Sequence, residues 1–175
     1  MTAFPPVIMT ERLSLDRAHP QDAADVFEYA SDAETTKYMT FPRAESIEDV
    51  IPFLESAQEA MDFGREFHWG IRLDNSPKLI GMVSFRRLHG LQVGSVLNAE
   101  YWDNGYMAEA VSGIIQWALR NEPVQRIWAT CDIENERSAR LLQKVGMTEE
   151  GVLRRWDIHP NISELPRDCR SYSLP

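Results

Sequence analysis

The chain has 175 residues, a formal net charge of -9 at pH 7 and an isoelectric point of about 4.9. The length suits one domain, residues 1–175, with its own hydrophobic core. The acidic balance argues against a general nucleic-acid binder and against attachment to an anionic membrane, and it suits a cationic partner.

The first half of the chain is predicted to contain a strand, two helices and a hairpin. Residues 11–17 alternate between polar and apolar side chains, as a half-buried strand does. A helix begins near Pro20, and a second helix follows a capping box formed by Ser46 and Asp49. The hairpin strands are residues 68–73 and 78–88.

The next stretch is predicted to be strand, turn, helix and strand. Residues 93–98 alternate as a strand, and Asp103-Asn104-Gly105 is a turn signal. From Met107 the apolar residues recur with a helical period, and residues 126–133 form another strand. A crossover of this length makes the two strands parallel, with a right-handed connection.

The C-terminal part is predicted to add a helix and two strands, at residues 135–145, 150–158 and 170–174. We place the last strand at an exposed edge of the sheet, where it can pair with a second copy in a homodimer. The element order predicts an α/β fold with a single mixed sheet.

Gly105 lies directly before a helix N-terminus. The first N–H groups of a helix have no intrahelical partner, and the helix dipole places partial positive charge there. A glycine at this point allows an anion to approach closely, so the turn suits a phosphate or pyrophosphate. The loop has neither the Lys of a Walker loop nor a GxGxxG pattern.

Residues 97–110, with the sequence LNAEYWDNGYMAEA, resemble the acetyl-coenzyme A signature of the GNAT (GCN5-related N-acetyltransferase) superfamily. The superfamily pattern is Arg or Gln, two residues, Gly, one residue, then Gly or Ala. Trp102 and Met107 stand in the first and last of these places, which resembles the branch that acetylates ribosomal-protein N-termini. The similarity continues through residues 135–138, 144–147 and 150–154.

This resemblance implies the acyl-CoA N-acyltransferase fold, a mostly antiparallel sheet whose central parallel strands splay to admit coenzyme A. It implies acetyl-CoA as co-substrate and no metal. It also implies that backbone groups of Leu97, Asn98 and Ala99 hold the pantetheine arm and donate to the thioester oxygen. The expected cofactor contacts are Leu97, Asn98, Ala99, Trp102, Asn104, Gly105, Tyr106, Met107, Ala108, Asn135 and Ser138.

The catalytic candidates are Ser138, Asn135, Glu100 and Asp168. The resemblance suggests that Ser138 meets the coenzyme A sulfur, since Leu142 occupies the place where a tyrosine acid often stands. The base is open between Glu100, Asp168 and a base that acts through water, with no single essential carboxylate. His68 also titrates in the useful range, although a lone histidine before a strand is usually structural.

We therefore expect an N-acetyltransferase that moves the acetyl group of acetyl-CoA to a primary amine by direct attack in a ternary complex. The acceptor is a protein N-terminus or a small amine with a further positive charge. The alternatives are a non-catalytic acyl-CoA-binding regulatory domain and a structural protein.

Cys131 and Cys169 form no disulfide framework, and the chain shows no signal or membrane segment, which predicts a cytoplasmic protein without membrane or nucleic-acid partners.

Overall fold

The computed structural model describes residues 5–174, which form one eight-stranded sheet with helices on both faces. The strands are β1 (Val7–Met9), β2 (Leu13–Arg17), β3 (Glu66–Leu73), β4 (Leu79–Arg87), β5 (Leu91–Leu97), β6 (Ile127–Asp132), β7 (Thr148–Asp157) and β8 (Arg167–Ser173). Their spatial order is β1-β2-β3-β4-β5-β6-β8-β7, in which only β5 and β6 run parallel.

The helices connect the strands and follow the local signals of the sequence. They are α1 (Ala23–Ala30), α2 (Ala33–Thr36), α3 (Ile51–Asp62), α4 (Tyr106–Asn121) and α5 (Glu136–Lys144). Single 3₁₀ turns at Pro20–Asp22 and Ile47–Asp49 precede α1 and α3. The Asp49 carboxylate accepts the Ser46 N–H at 2.9 Å, as the predicted capping box requires.

Each face of the sheet carries its own core. On one face, Ala129 and Cys131 of β6 are buried in a cluster with residues of α4 and α5. On the other face, Val26 of α1 and Leu54 of α3 pack in a second cluster with Met82 of β4. Because side chains alternate along a strand, β4 contributes to both cores, with Val83 in the first and Met82 in the second.

The predicted α/β class, the single mixed sheet and the parallel pair are confirmed. The placement of the last strand at an edge is wrong, because β8 lies between β6 and β7 and pairs with both. Cys169 and Tyr172 of β8 are completely buried, so this strand does not offer a free edge for a homodimer. Among the described strands the edges are β1, which the sequence pattern missed, and β7.

Candidate active site

The two parallel strands separate soon after they begin. β5 and β6 pair only at Leu91 with Ile127 and at Gln92 with Trp128, and beyond this point the ladder stops. In contrast, β5 remains paired with β4 along its whole length. The result is a gap at the centre of the sheet, open toward the C-terminal ends of both strands, as the family resemblance predicts.

The backbone of β5 presents hydrogen-bonding groups to this gap. Leu91 N donates to Arg126 O at 2.8 Å, toward β6, whereas Asn98 N donates to Ile80 O at 2.9 Å, toward β4. Since these directions alternate along a strand, the N–H and C=O of Ser95 face the gap. An extended polar arm can therefore pair with β5 where β6 has diverged.

The N-terminus of α4 carries the free donors of an anion site. Its first intrahelical bond runs from Glu109 N to Gly105 O at 3.1 Å, so the N–H groups of Tyr106, Met107 and Ala108 have no intrahelical partner. Gly105 has φ of +79°, a left-handed conformation that favours glycine. The predicted residues therefore form a helix-terminal site whose donors and dipole suit a pyrophosphate.

Arg12 extends from the loop between β1 and β2 to this turn, and no local sequence motif predicts this contact. Its guanidinium donates to Asn104 O at 3.0 Å and to the Glu109 carboxylate at 2.7 Å, and lies 4.7 Å from the centre of the Tyr106 ring. Burial opposes ionisation of Glu109, but hydrogen bonds from Thr10 and Arg12 hold its pKa below the ordinary value. Glu109, in the first turn of α4, therefore holds Arg12 beside the turn.

Trp102 connects the turn to the sheet. Its indole N–H donates to Leu97 O at 2.8 Å, and the Arg137 guanidinium lies 4.1 Å from the centre of its ring. Arg137 also pairs with Asp103 at 2.7 Å. The turn is therefore flanked by two arginines, Arg12 and Arg137, each of which is paired with a carboxylate.

Two of the amides predicted to hold the pantetheine arm have protein partners. Asn98 N donates across to β4, as described above, and Ala99 N donates to the Thr35 hydroxyl at 3.1 Å. The Asn98 side chain accepts from Glu100 N at 3.0 Å and donates to Glu28 at 2.9 Å. The role of these two amides in binding the arm stays a prediction, and Ser95 is a further candidate on the gap side of β5.

A cavity of about 1030 Å³ passes through the gap and has walls on both faces of the sheet. On the α4 and α5 side, Cys131, Ser138 and Leu142 line it. On the α1 and α3 side its wall includes Thr130 and Asp157, together with the loop between α2 and α3. The opening between the strands therefore joins two compartments, one on each side of the sheet.

Asn135 and Ser138 both line this cavity at the start of α5. Asn135 is the N-cap residue, and its side-chain oxygen accepts the Ser138 N–H at 3.1 Å. Burial raises the pKa of the neighbouring Cys131 thiol to about 11, and a hydrogen bond with Ser138 opposes this rise. Ser138 therefore lies beside Cys131 in the cavity wall, and its contact with the coenzyme A sulfur stays a prediction, while Asn135 caps the first turn of α5.

A family model described as an acetyltransferase (GNAT) domain matches residues 12–148 of the chain. The chain belongs to the GNAT acetyltransferase family. It is 32% identical over 173 residues to the N-acetyltransferase YoaA of Bacillus subtilis (strain 168), which covers 97% of this chain and 96% of that protein. It is also 27% identical over 93 residues, 50% of this chain and 48% of the other, to the ribosomal protein uS5-alanine N-acetyltransferase of Escherichia coli (strain K12).

The GNAT fold is equally evident in a solved structure of the Microcin C7 self-immunity acetyltransferase MccE in complex with acetyl-CoA and AMP. The two structures superpose with a TM-score of 0.85 at 22% identity, covering 98% of this chain and 97% of that one. The predicted family and its ribosomal-type resemblance are confirmed, and the relatives support an acetyltransferase enzyme over a non-catalytic domain. Acetyl transfer to an amine is the general activity of this GNAT protein.

Neither carboxylate that was predicted as the base of this GNAT enzyme lines the cavity. Glu100 is exposed in the 3₁₀ turn Ala99–Tyr101. Asp168 accepts Arg155 N at 2.9 Å and pairs with Arg154 at 2.7 Å, and these contacts lower its pKa. Their catalytic role stays a prediction that the geometry does not favour.

Asp157, which the sequence analysis did not single out, is a half-buried carboxylate in the cavity wall at the end of β7. Burial raises its pKa, and the nearby His159 and Arg86 and a hydrogen bond with Thr130 oppose this rise. No motif marks this position. The only sequence signal is an acidic residue at the end of a predicted strand. This signal identifies Asp157 as a cavity residue only when the position of the strand beside the gap is known.

His68 also lines the cavity, on β3, with its ring edge-to-face against Phe53 at 5.7 Å between centroids. Its Nε2 lies 3.1 Å from Glu66, which pairs in turn with Arg86 at 2.7 Å. Burial lowers the pKa of His68, against the opposing effect of Glu66. His68 therefore remains a neutral member of a hydrogen-bonded group rather than a free acid.

Within residues 5–174, no helix is long and apolar enough to cross a membrane. The same range contains no group of three or more His, Cys, Asp or Glu side chains placed to hold a metal ion.

Proposed function

We propose that this enzyme transfers the acetyl group of acetyl-CoA to a primary amine that carries a further positive charge, by direct attack in a ternary complex. The observation that carries the proposal is the cavity that passes through the gap between β5 and β6, with Ser138 on one side and Asp157 on the other. The proposed acceptor side is the compartment beside α1 and α3.

The coenzyme A side follows from the donors on β5 and α4. Ser95 offers strand-like hydrogen bonds to the pantetheine arm, and the free N–H groups at the start of α4 suit the pyrophosphate. Gly105 leaves room there, because a Cβ built on it would meet only Arg12 Nη2, at 3.5 Å. The residues present therefore fit acetyl-CoA as the co-substrate.

Direct attack is favoured over a covalent acetyl-enzyme. Cys131 is the thiol nearest Ser138, and a cysteine whose pKa is raised to about 11 is almost entirely protonated at neutral pH. A protonated thiol is a poor nucleophile. A ternary mechanism predicts intersecting initial-rate lines when both substrates are varied, whereas an acetyl-enzyme gives parallel lines.

Asp157 is the proposed base. The ammonium of the acceptor loses one proton to Asp157, its nitrogen forms the new C–N bond, and the C–S bond breaks. The nitrogen then loses a second proton, which neutralises the departing thiolate. Ser138 contacts this thiolate through its hydroxyl. Among the other cavity carboxylates, Glu66 is held by an ion pair with Arg86 and a hydrogen bond with His68, and the pKa of Asp49 is lowered by backbone hydrogen bonds, so both are weaker proton acceptors.

The charge of the cavity wall favours a cationic acceptor. Its acidic side chains outnumber its arginines, and the two sets are Glu45, Glu48, Asp49, Glu66 and Asp157 against Arg43 and Arg86. The whole chain adds a net charge of -9. A second positive charge on the acceptor is therefore attracted to the mouth of the cavity.

The test uses two amines of the same shape, 3-(trimethylammonio)propylamine and the neutral 4,4-dimethylpentylamine, in an assay of thiol release from acetyl-CoA. We expect a lower KM for the cationic amine, and a KM that rises with salt, because ~0.1 M salt screens exposed charges beyond ~10 Å. Preference for the neutral amine without a salt effect would contradict the electrostatic argument. Absence of transfer to any primary amine would contradict the proposed function itself.

A further inference from the structure

Gly94 lies in the middle of β5 at the edge of the gap. It is two residues beyond Gln92, which makes the last pair with β6, and it is exposed in the wall of the cavity. Its cross-strand partner on β4 is Ser84, two residues after Met82. Because Met82 packs in the core beside α1 and α3 and side chains alternate along a strand, Ser84 and Gly94 face the proposed acceptor compartment.

The fold does not require a glycine at position 94. Its φ is outside the left-handed region, and a Cβ built there would meet only Ser84 Oγ, at 2.6 Å, an atom that can rotate away. By contrast, a Cβ on Gly81 of β4 would overlap the carbonyl oxygen of Val96, so Gly81 is needed for strand packing. Glycine weakens the interior of a strand and often marks a place where a ligand approaches closely. We call the open space between Gly94 and Ser84 the Gly94 notch.

The hydroxyl of Ser84 is an accessible hydrogen-bonding group beside this notch. Ser84 is half-buried and lines the cavity. Within residues 5–174, its Oγ makes no hydrogen bond, and it is not one of the enclosed side-chain atoms that lack a partner, so it retains access to solvent. A serine hydroxyl both donates and accepts hydrogen bonds. Because Ser84 is uncharged, it suits a neutral polar atom of a ligand.

The Gly94 notch lies across the gap from the proposed base. Continuing the register of β5 and β6 past their last pair places Gly94 opposite Thr130. Thr130 lines the cavity and forms a hydrogen bond with Asp157. Neighbouring strands are about 4.8 Å apart, so Ser84 lies roughly one strand spacing from the edge of the gap. An amine whose nitrogen lies beside Asp157 therefore extends over Gly94 and brings its next atoms to the Ser84 hydroxyl.

We propose that Gly94 and Ser84 form a specificity subsite for an oxygen atom on the second carbon from the reacting nitrogen of the acceptor. This inference rests on the proposed function and names the class of amine more closely. In an N–C–C–O unit the oxygen is three bonds from the nitrogen, and a further hydrogen bond of ~2.8 Å spans the strand spacing of about 4.8 Å. The unit occurs in 2-hydroxyamines and in the α-amino carbonyl of a peptide N-terminus, and the Ser84 hydroxyl can donate to either oxygen.

The experiment compares three cationic primary amines in the full-length enzyme. They are 3-(trimethylammonio)propylamine, its 2-hydroxy derivative, and N-[2-(trimethylammonio)ethyl]glycinamide, which carries the carbonyl. The measured quantity is the ratio of kcat/KM for each oxygen-bearing amine to that for the first amine. The oxygen also changes the basicity of the amine, but this effect is the same for every variant and cancels when ratios are compared.

The variants are Ser84→Ala and Gly94→Ala, with Ser14→Ala as the matched control. Ser14 is a half-buried serine on β2 that lies outside the cavity wall. Coenzyme A binding and the melting temperature are measured for every variant. These two measurements separate a change in the acceptor subsite from damage to the fold or to the coenzyme A side.

We expect Ser84→Ala to lower at least one of the two ratios about fivefold, the scale of one neutral hydrogen bond, with unchanged coenzyme A binding. Ser14→Ala should keep both ratios. Gly94→Ala fills the notch and displaces the Ser84 hydroxyl, so kcat/KM should fall for all three amines. Its melting temperature should equal or exceed that of the wild type, because alanine loses less backbone entropy in a strand than glycine does. A residue that only supports the strand would not combine lower activity with equal or higher stability.

A Ser84→Ala enzyme that folds and keeps both wild-type ratios would overturn the proposal. Unchanged kcat/KM for all three amines in Gly94→Ala would also overturn it. A loss confined to the hydroxyl amine supports the subsite with an amino alcohol as its ligand, and a loss confined to the glycinamide supports it with a peptide N-terminus.

If the wild-type enzyme acetylates no primary amine, the proposed function fails before this inference is reached. If it acetylates these amines and neither ratio depends on Ser84, only this inference fails.

Discussion

Replacing Asp157 with Asn tests the base and the stability of the site together. Asparagine has nearly the same shape and can keep the hydrogen bond with Thr130, but it cannot accept the proton of the ammonium. General-base catalysis contributes roughly 10²- to 10⁴-fold to a rate. We expect kcat to fall by about 10²- to 10³-fold, in the lower part of this range. The reason is that Glu66 and His68 share the cavity and can accept a proton through water.

The same variant is expected to be more stable than the wild type at neutral pH. Burial raises the folded-state pKa of Asp157 above its unfolded value. Such a group favours folding below the unfolded pKa and loses this contribution as pH rises through the folded pKa. Ionised Asp157 therefore lowers stability at pH 7, and Asp157→Asn should raise the melting temperature there. The difference should vanish in acid, below the ordinary carboxyl pKa of about 3.9.

Asp168→Asn is the matched control, because its pKa shift has the opposite sign. The Arg155 N–H and the Arg154 guanidinium lower the pKa of Asp168. This carboxylate stabilises the fold above its unfolded pKa and loses that contribution as pH falls through its folded pKa. Asp168→Asn should therefore lower the melting temperature at pH 7 and have little effect in acid.

The assay measures kcat against pH and melting temperature against pH for both variants. In the wild type, kcat should rise with pH until Asp157 is deprotonated and can accept the proton of the bound ammonium. An Asp157→Asn enzyme with wild-type kcat and an unchanged pH profile would refute the role of Asp157. If Asp168→Asn removes activity instead, the base predicted from the sequence is restored.

Three further predictions concern the coenzyme A side. Gly105→Glu should fold but lose most of its coenzyme A affinity, measured by calorimetry, because it adds a negative charge at the helix N-terminus. The control Gly105→Ala adds no charge and should lower the free energy of unfolding by only roughly 1–2 kcal/mol, through strain at a positive φ. Normal binding by the Glu variant would mean that the pyrophosphate lies elsewhere. Ser138→Ala should lower kcat more than it weakens acetyl-CoA binding, since a contact with the departing thiolate matters mainly in the transition state, and equal losses would make Ser138 a binding residue. Arg137→Gln should weaken coenzyme A binding more at low salt than at high salt, and an effect that is independent of salt would show that stacking on Trp102 matters more than charge.

Local sequence signals determined the elements at the centre of the site. The strand, turn and helix around Gly105 were predictable because period, turn residues and helix starts depend on side chains only a few positions apart. Asn135 as an N-cap and the capping box at Ser46 belong to the same class. The left-handed turn and the free N–H groups at the start of α4 follow from these local rules, so the donors that we propose for the pyrophosphate were predictable before any long-range contact.

Only the tertiary structure decided which strand lies beside which, and which acid faces the cavity. β8 is inserted between β6 and β7 because its buried side chains and its backbone find partners on both sides, a long-range pairing that leaves no period in the sequence. The same pairing brings Asp157 and His159 to the gap and ties Asp168 to Arg154. The sequence does not distinguish a carboxylate that is buried, such as Asp157, from one that is paired with an arginine, such as Asp168. Burial depends on which strands surround the residue.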